Sequence, residues 1–219
     1  MMTTEIRTSS KGGMVMRTFV RNMILAAAVI VMSAAVADAQ PGRRFYVDAG
    51  WQFNGTVGND FATGGSGWGA YLEGGYYVLP RIAVGLFGSF NTNNDYVPRQ
   101  TYMWENGEAL TTDFVNSIYQ IPFGATLRYR FGWKEFQPYV QAKLGANYAE
   151  EYAYMPVAVM KDDQWGFYAS PEIGFTWHPF HKSNFGFQLA AYYSYATNRS
   201  AAFGLNGINN VGFKLGVSF

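Results

Sequence analysis

The sequence has 219 residues, with 16 Lys and Arg against 15 Asp and Glu, a formal net charge of +1, no Cys, 25 Gly and 18% aromatic residues. Balanced charge leaves no basic footprint for nucleic acid, and the lack of Cys removes disulfide frameworks, thiol chemistry and Cys-held metals. Carboxylates and 2 His remain as ligands, and no cofactor is implied.

At the amino terminus, Arg17 and Arg21 precede an apolar run from Met23 to Val36, and Ala37-Asp38-Ala39 has the small-x-small form of a cleavage site. Residues 1–39 therefore read as a signal peptide and residues 40–219 as one mature domain. No long apolar run follows Val36, so a mature chain that enters a membrane must do so as a closed barrel.

The mature segment offers eight runs of period two, the alternation a pleated strand imposes. The first, Arg44 to Phe53, sets Phe45, Val47, Ala49, Trp51 and Phe53 against Tyr46, Asp48 and Gln52. The second, Gly67 to Val78, sets Trp68, Leu72 and Tyr76 against Tyr71, Glu73 and Tyr77. After Leu79-Pro80-Arg81, the third opposes Ile82, Val84, Leu86 and Phe90 to Phe87, Ser89 and Asn91. The fourth, Ser117 to Phe131, opposes Phe123, Leu127 and Tyr129 to Gln120, Arg128 and Arg130. The fifth, Gln137 to Tyr148, opposes Val140 and Leu144 to Tyr139, Gln141 and Lys143. The sixth, Gly166 to His178, opposes Phe167, Ile173 and Trp177 to Tyr168 and Glu172. The seventh, Phe185 to Ala196, opposes Phe187 and Leu189 to Gln188 and Tyr192. The last, Asn209 to Phe219, opposes Val211, Phe213, Leu215, Val217 and Phe219 to Lys214 and Ser218.

No charged residue falls on the oily face of any run. Arg44, Asp48, Glu73, Arg81, Arg128, Arg130, Lys143, Glu172 and Lys214 all fall on the other. A Lys or Arg facing lipid at midplane costs about 2–4 kcal/mol, so a bilayer would impose this sorting. A secreted soluble barrel would show the reverse. Connections alternate as well: Asn54 to Ser66, Thr92 to Asn116, Glu150 to Trp165 and Thr197 to Ile208 are long, and the three between them are short. Long loops face outside and short turns face the periplasm. Within Thr92 to Asn116, a hairpin extending past the membrane is expected around Glu105-Asn106-Gly107-Glu108. The predicted fold is all-β, an eight-stranded antiparallel up-and-down transmembrane β-barrel.

The final strand, with Phe213, Leu215, Val217 and Phe219 on its oily face, resembles the closing strand of Gram-negative outer-membrane barrels, where such a strand ending in Phe is the assembly signal. Ile121-Pro122-Phe123-Gly124, Pro138-Tyr139-Val140 and Pro171-Glu172-Ile173-Gly174 resemble strand motifs of the same group. The mature segment is similar to small OmpA/OmpX-type barrels, and anchoring to the cell wall through a peptidoglycan-binding domain is not expected. This resemblance implies residence in the bacterial outer membrane. The partners it implies are lipid and lipopolysaccharide, the barrel-assembly machinery and periplasmic chaperones. The leading reading of the residues is a non-enzymatic role in envelope integrity or in surface contact and adhesion through the outer loops, where Tyr102, Trp104, Tyr152 and Tyr154 serve either as a surface for an extracellular ligand or, equally, as packing of strand extensions.

Eight strands leave an interior that side chains can fill. Asp48, Glu73 and Glu172 against Arg128, Arg130, Lys143 and Lys214 are therefore expected to form a paired lumen charge network, since unpaired buried charges are expensive. A narrow solute or ion pathway is the alternative reading of the same residues. His181-Lys182-Ser183-Asn184 resembles the His-x-Ser-Asn motif of outer-membrane lipid A deacylases, which would make His181 the base and Ser183 the nucleophile. No Asp or Glu follows Glu172 to complete that site, and polar turn residues account for the motif, so no catalytic residue is assigned. His178 and His181 lack an evident third ligand, and no metal site is expected.

Overall fold

The computed structural model describes residues 44–219 apart from 59–60, 104–108, 133, 155–158, 181–183 and 202. The signal segment and the His181-Lys182-Ser183 motif thus lie outside the described residues. Eight strands follow in chain order: β1 Phe45–Thr56, β2 Ala70–Tyr77, β3 Ile82–Met103, β4 Ala109–Arg130, β5 Phe136–Tyr154, β6 Val159–Trp177, β7 Gly186–Ala196 and β8 Ile208–Ser218. Each pairs antiparallel with its sequence neighbour, and β8 returns to β1 to close the ring. Beyond the last ladder pair, the Phe219 amide donates to the Val47 carbonyl at 2.9 Å and its carbonyl accepts from Val47 at 3.1 Å. The seam is sealed to the final residue.

Between the rows of interface rings, the outward face is apolar on every strand. Leu86 is 71% exposed, Leu144 55%, Ile173 64% and Leu215 54%. Keeping one such side chain in water rather than in an apolar medium costs about 1.5–3 kcal/mol, so this belt requires lipid. Rings mark its loop-side edge, where Trp165 packs against Tyr148 and Phe123. The inward face holds the buried polar residues.

A narrow barrel must curve sharply, and facing glycines permit it. Gly50 lies opposite Gly216, Gly75 opposite Gly85 and Gly124 opposite Gly145. A Cβ on Gly124 would meet the Gly145 Cα at 2.5 Å, a contact no side chain tolerates.

The stretch from Thr92 to Asn116 forms the expected hairpin, with Trp104 and the turn at 105–108 outside the described residues, whereas the loop expected from Glu150 to Trp165 is instead largely ladder. β3 and β4 pair as far as Met103 and Ala109, and β5 and β6 as far as Tyr154 and Val159. A transmembrane strand needs only about 9–11 residues; β3 and β4 have 22 each. The polar outer parts looked like loop because alternation weakens where both faces meet water. Cross-strand partners hold them together all the same, as where the Thr101 and Thr111 hydroxyls pair at 2.8 Å.

Candidate functional site in the lumen

Strand alternation delivers one inward side chain every second residue, and ring closure brings these to a common level. Asp48 comes from β1, Glu73 from β2, Arg128 from β4, Gln141 and Lys143 from β5, Glu172 from β6, Gln188 from β7 and Lys214 from β8. All are buried. Arg128 Nη2 reaches Asp48 Oδ2 at 2.6 Å and Glu73 Oε1 at 3.1 Å. Lys143 Nζ pairs with Glu73 and, at 2.8 Å, with Glu172 Oε2, which Lys214 Nζ also reaches at 2.9 Å. Three cations therefore meet three anions in one connected chain.

Neutral residues complete the layer. Gln141 accepts from Arg128 Nε and donates to Glu73 Oε2 at 2.9 Å. Gln188 donates to Asp48 Oδ2 at 3.1 Å and to the Tyr139 hydroxyl at 2.6 Å, and accepts from the Tyr71 hydroxyl at 2.6 Å. The Tyr139 hydroxyl donates in turn to Glu172 Oε1 at 2.9 Å. Arg128 is held between rings, its guanidinium carbon 3.8 Å from the Tyr46 centroid and 4.2 Å from that of Tyr139. Asp48 Oδ1 alone of the carboxylate oxygens in this layer is left without a partner among the described residues; the dense pairing of the rest lets charges persist in a low-dielectric interior, where removing one partner is strongly destabilising.

Arg130, expected in the network, stands nearer the turn end. Its guanidinium lies 3.7 Å from the Tyr77 ring and its Nε donates to the Pro80 carbonyl at 3.0 Å. Gln141 and Gln188 were legible only as inward polar positions. Neutral amides carry no charge sign by which pairing could be anticipated.

Above the charge layer the connections at the loop end turn into the barrel. Phe61 and Ala62, between β1 and β2, and Phe203 and Leu205, between β7 and β8, pack with Phe87, Ile118, Ala149, Tyr168, Ala196 and Ile208. The Phe61 and Phe203 ring centroids are 4.6 Å apart. The Asn198 amide donates to the Gln164 carbonyl at 2.9 Å, and Ser200 Oγ donates to Asp162 Oδ2 at 2.6 Å. Nothing in the alternation of the strands signals this cap.

At the outer rim Glu150 accepts from the Tyr148 and Tyr152 hydroxyls at 2.9 Å each and pairs with Lys161 at 3.0 Å. Burial raises the Glu150 carboxyl, but these donors outweigh it and hold the group below the ordinary range. The terminal residues Phe213 and Leu215 face outward, 43% and 54% exposed. Phe219 packs on Phe185 with centroids 5.7 Å apart. No group of three or more His, Asp or Glu suited to a metal ion occurs among the described residues.

The family described as outer membrane protein beta-barrel domain matches residues 24–219. No curated protein matches the sequence. Among solved structures, Neisserial surface protein A is similar with a TM-score of 0.54 at 16% identity, covering 80% of this chain and 96% of its own. The outer membrane protease OmpT of Escherichia coli gives 0.42 at 9% identity over 84% and 99%. Ail, the attachment invasion locus protein of Yersinia pestis, gives 0.40 at 14% identity over 80% and 96%.

Proposed function

This chain belongs to the outer membrane protein beta-barrel domain family of the bacterial outer membrane, and from that premise we propose a non-enzymatic barrel that supports envelope integrity and acts at the cell surface through its outer hairpins. One observation carries the reading. β3 and β4, at 22 residues each, are about twice the length a crossing requires, so their outer halves stand beyond the bilayer. Apolar groups are exposed on the projecting sheets: Tyr96 is 60% exposed, Val159 42% and Met160 49%. Exposed apolar surface in water is the chemistry of a contact site. The filled lumen argues in the same direction, since ion pairs and the apolar cap occupy the route a solute would take.

The test compares cells displaying the parent protein with cells displaying a form whose residues 95–115 are replaced by an Asn-Gly turn, at equal surface amounts. Adherence to immobilised matrix protein and to other cells is expected to fall sharply in the shortened form. Equal adherence would overturn the reading. Mass spectrometry of lipid A from cells expressing the parent is expected to show no change in acylation. A change abolished by alanine at both His181 and Ser183 would establish the hydrolase alternative instead.

A further inference from the structure

Glu151 is the one carboxylate described with both oxygens buried and neither hydrogen-bonded to a described residue. It sits on the inward face of β5 and is 0% exposed. Its ladder partners are Ile118 on β4 and Asp162 on β6. Ile118 belongs to the apolar cluster that the β1–β2 and β7–β8 connections complete. Asp162 is the group that receives Ser200 Oγ of the β7–β8 connection. A group expensive to ionise thus stands beside both attachments of the cap.

The surrounding charges offer Glu151 no relief. On β6 the neighbours are two further carboxyl groups, Asp162 and Asp163, and Lys161 is engaged by Glu150. On β4 its inward neighbours Asn116, Ile118 and Gln120 are uncharged. Asp95 of β3 is held by Thr63, and Arg199 of the β7–β8 connection is exposed. These groups lie beyond the Tyr148 and Trp165 edge, outside the bilayer. Burial, then Asp162 and Asp163, push the Glu151 carboxyl up to about 7.

We propose that the β7–β8 connection is an acid-closed cap: with Glu151 protonated it seals the loop end of the lumen, and ionisation of Glu151 beside Asp162 releases it. The closed form keeps the carboxyl dry and neutral; release admits water, in which the carboxylate is solvated. The sign follows from the raised affinity for a proton in the closed form. Closure is favoured in full below the ordinary Glu value of 4.5, loses ground as pH rises through the interval to about 7, and changes no further above it. The ratio of released to closed forms rises about tenfold per pH unit in that window, roughly 300-fold in all.

The natural chain has no Cys, so one introduced thiol reports on the cap. Ala196→Cys places it beneath the cap, where Ala196 is 1% exposed. Its reaction with a charged methanethiosulfonate is measured on the full barrel in lipid nanodiscs at pH 5 and pH 8. Dividing by the rate at an exposed Arg99→Cys removes the thiol's own pH dependence. The ratio is expected to rise more than tenfold with Glu151 in place. In Glu151→Gln it should stay at its acid level at both pH values, and in Asp162→Asn, which lowers the repulsion, the rise should shrink. Heat-dependent gel mobility verifies that each variant is folded. An unchanged ratio in the parent, or an equal rise in Glu151→Gln, would overturn the proposal.

Discussion

Among individual residues, Glu73 has the most exacting environment. Its Oε1 accepts from Arg128 and Gln188, and its Oε2 from Lys143 and Gln141. In Glu73→Gln the shape is kept, but the lumen holds three cations against two anions. A buried charge robbed of its partner costs about 3–5 kcal/mol. Unfolding of the barrel by guanidinium in detergent should therefore show a loss of that order. Planar-bilayer recordings should show the parent closed and brief openings in the variant. A steady large conductance in the parent would mean that the ion pairs do not fill the bore. Which charged residues face inward was open to reading from strand alternation. The roles of Gln188, Tyr71 and Tyr139 were not, because an amide or phenol on the inward face suits any neighbour until the register places one.

At the level of elements, β6 contains a fault that it repairs itself. Its ladder with β7 is interrupted between Ala169 and Glu172, where Pro171 supplies no amide proton. Ser170 Oγ donates instead to the Tyr193 carbonyl at 2.7 Å. Ser170→Ala should leave that carbonyl unsatisfied and lower stability by about 1 kcal/mol, with faster hydrogen exchange confined to neighbouring amides of β6 and β7. Exchange unchanged there would show that the hydroxyl is dispensable. Pro171 was visible as a strand motif; the compensating bond was not, since it depends on which β7 carbonyl arrives opposite.

For the whole molecule, closure is the property to test. A ring with every strand paired on both sides has no edge from which detergent can unzip it. The native barrel should migrate differently on denaturing gels before and after boiling. Removing Phe219 deletes the last two hydrogen bonds of the β1–β8 seam, to Val47, along with an outward ring at the carboxy terminus. The fraction of protein in the heat-sensitive folded form should drop much further than on removal of Asn94, an exposed residue of β3. Equal fractions would count against the final strand as the assembly signal.

Sequence alone determined the number of crossings, the face each residue takes and the sorting of charge to the interior. These follow from a period of two and from the cost of charge in lipid, both of which act within a single strand. Only the tertiary structure decided which inward groups meet. Asp48 and Arg128 lie 80 positions apart, and their contact depends on the stagger between strands that closes the ring. It alone also showed that Phe61, Ala62, Phe203 and Leu205 of the β1–β2 and β7–β8 connections pack onto Ile118 and Ala149, and that Glu151 on the same inward face is buried. A loop has no periodic face, so its choice between water and the lumen rests on a surface that exists only after the barrel has closed.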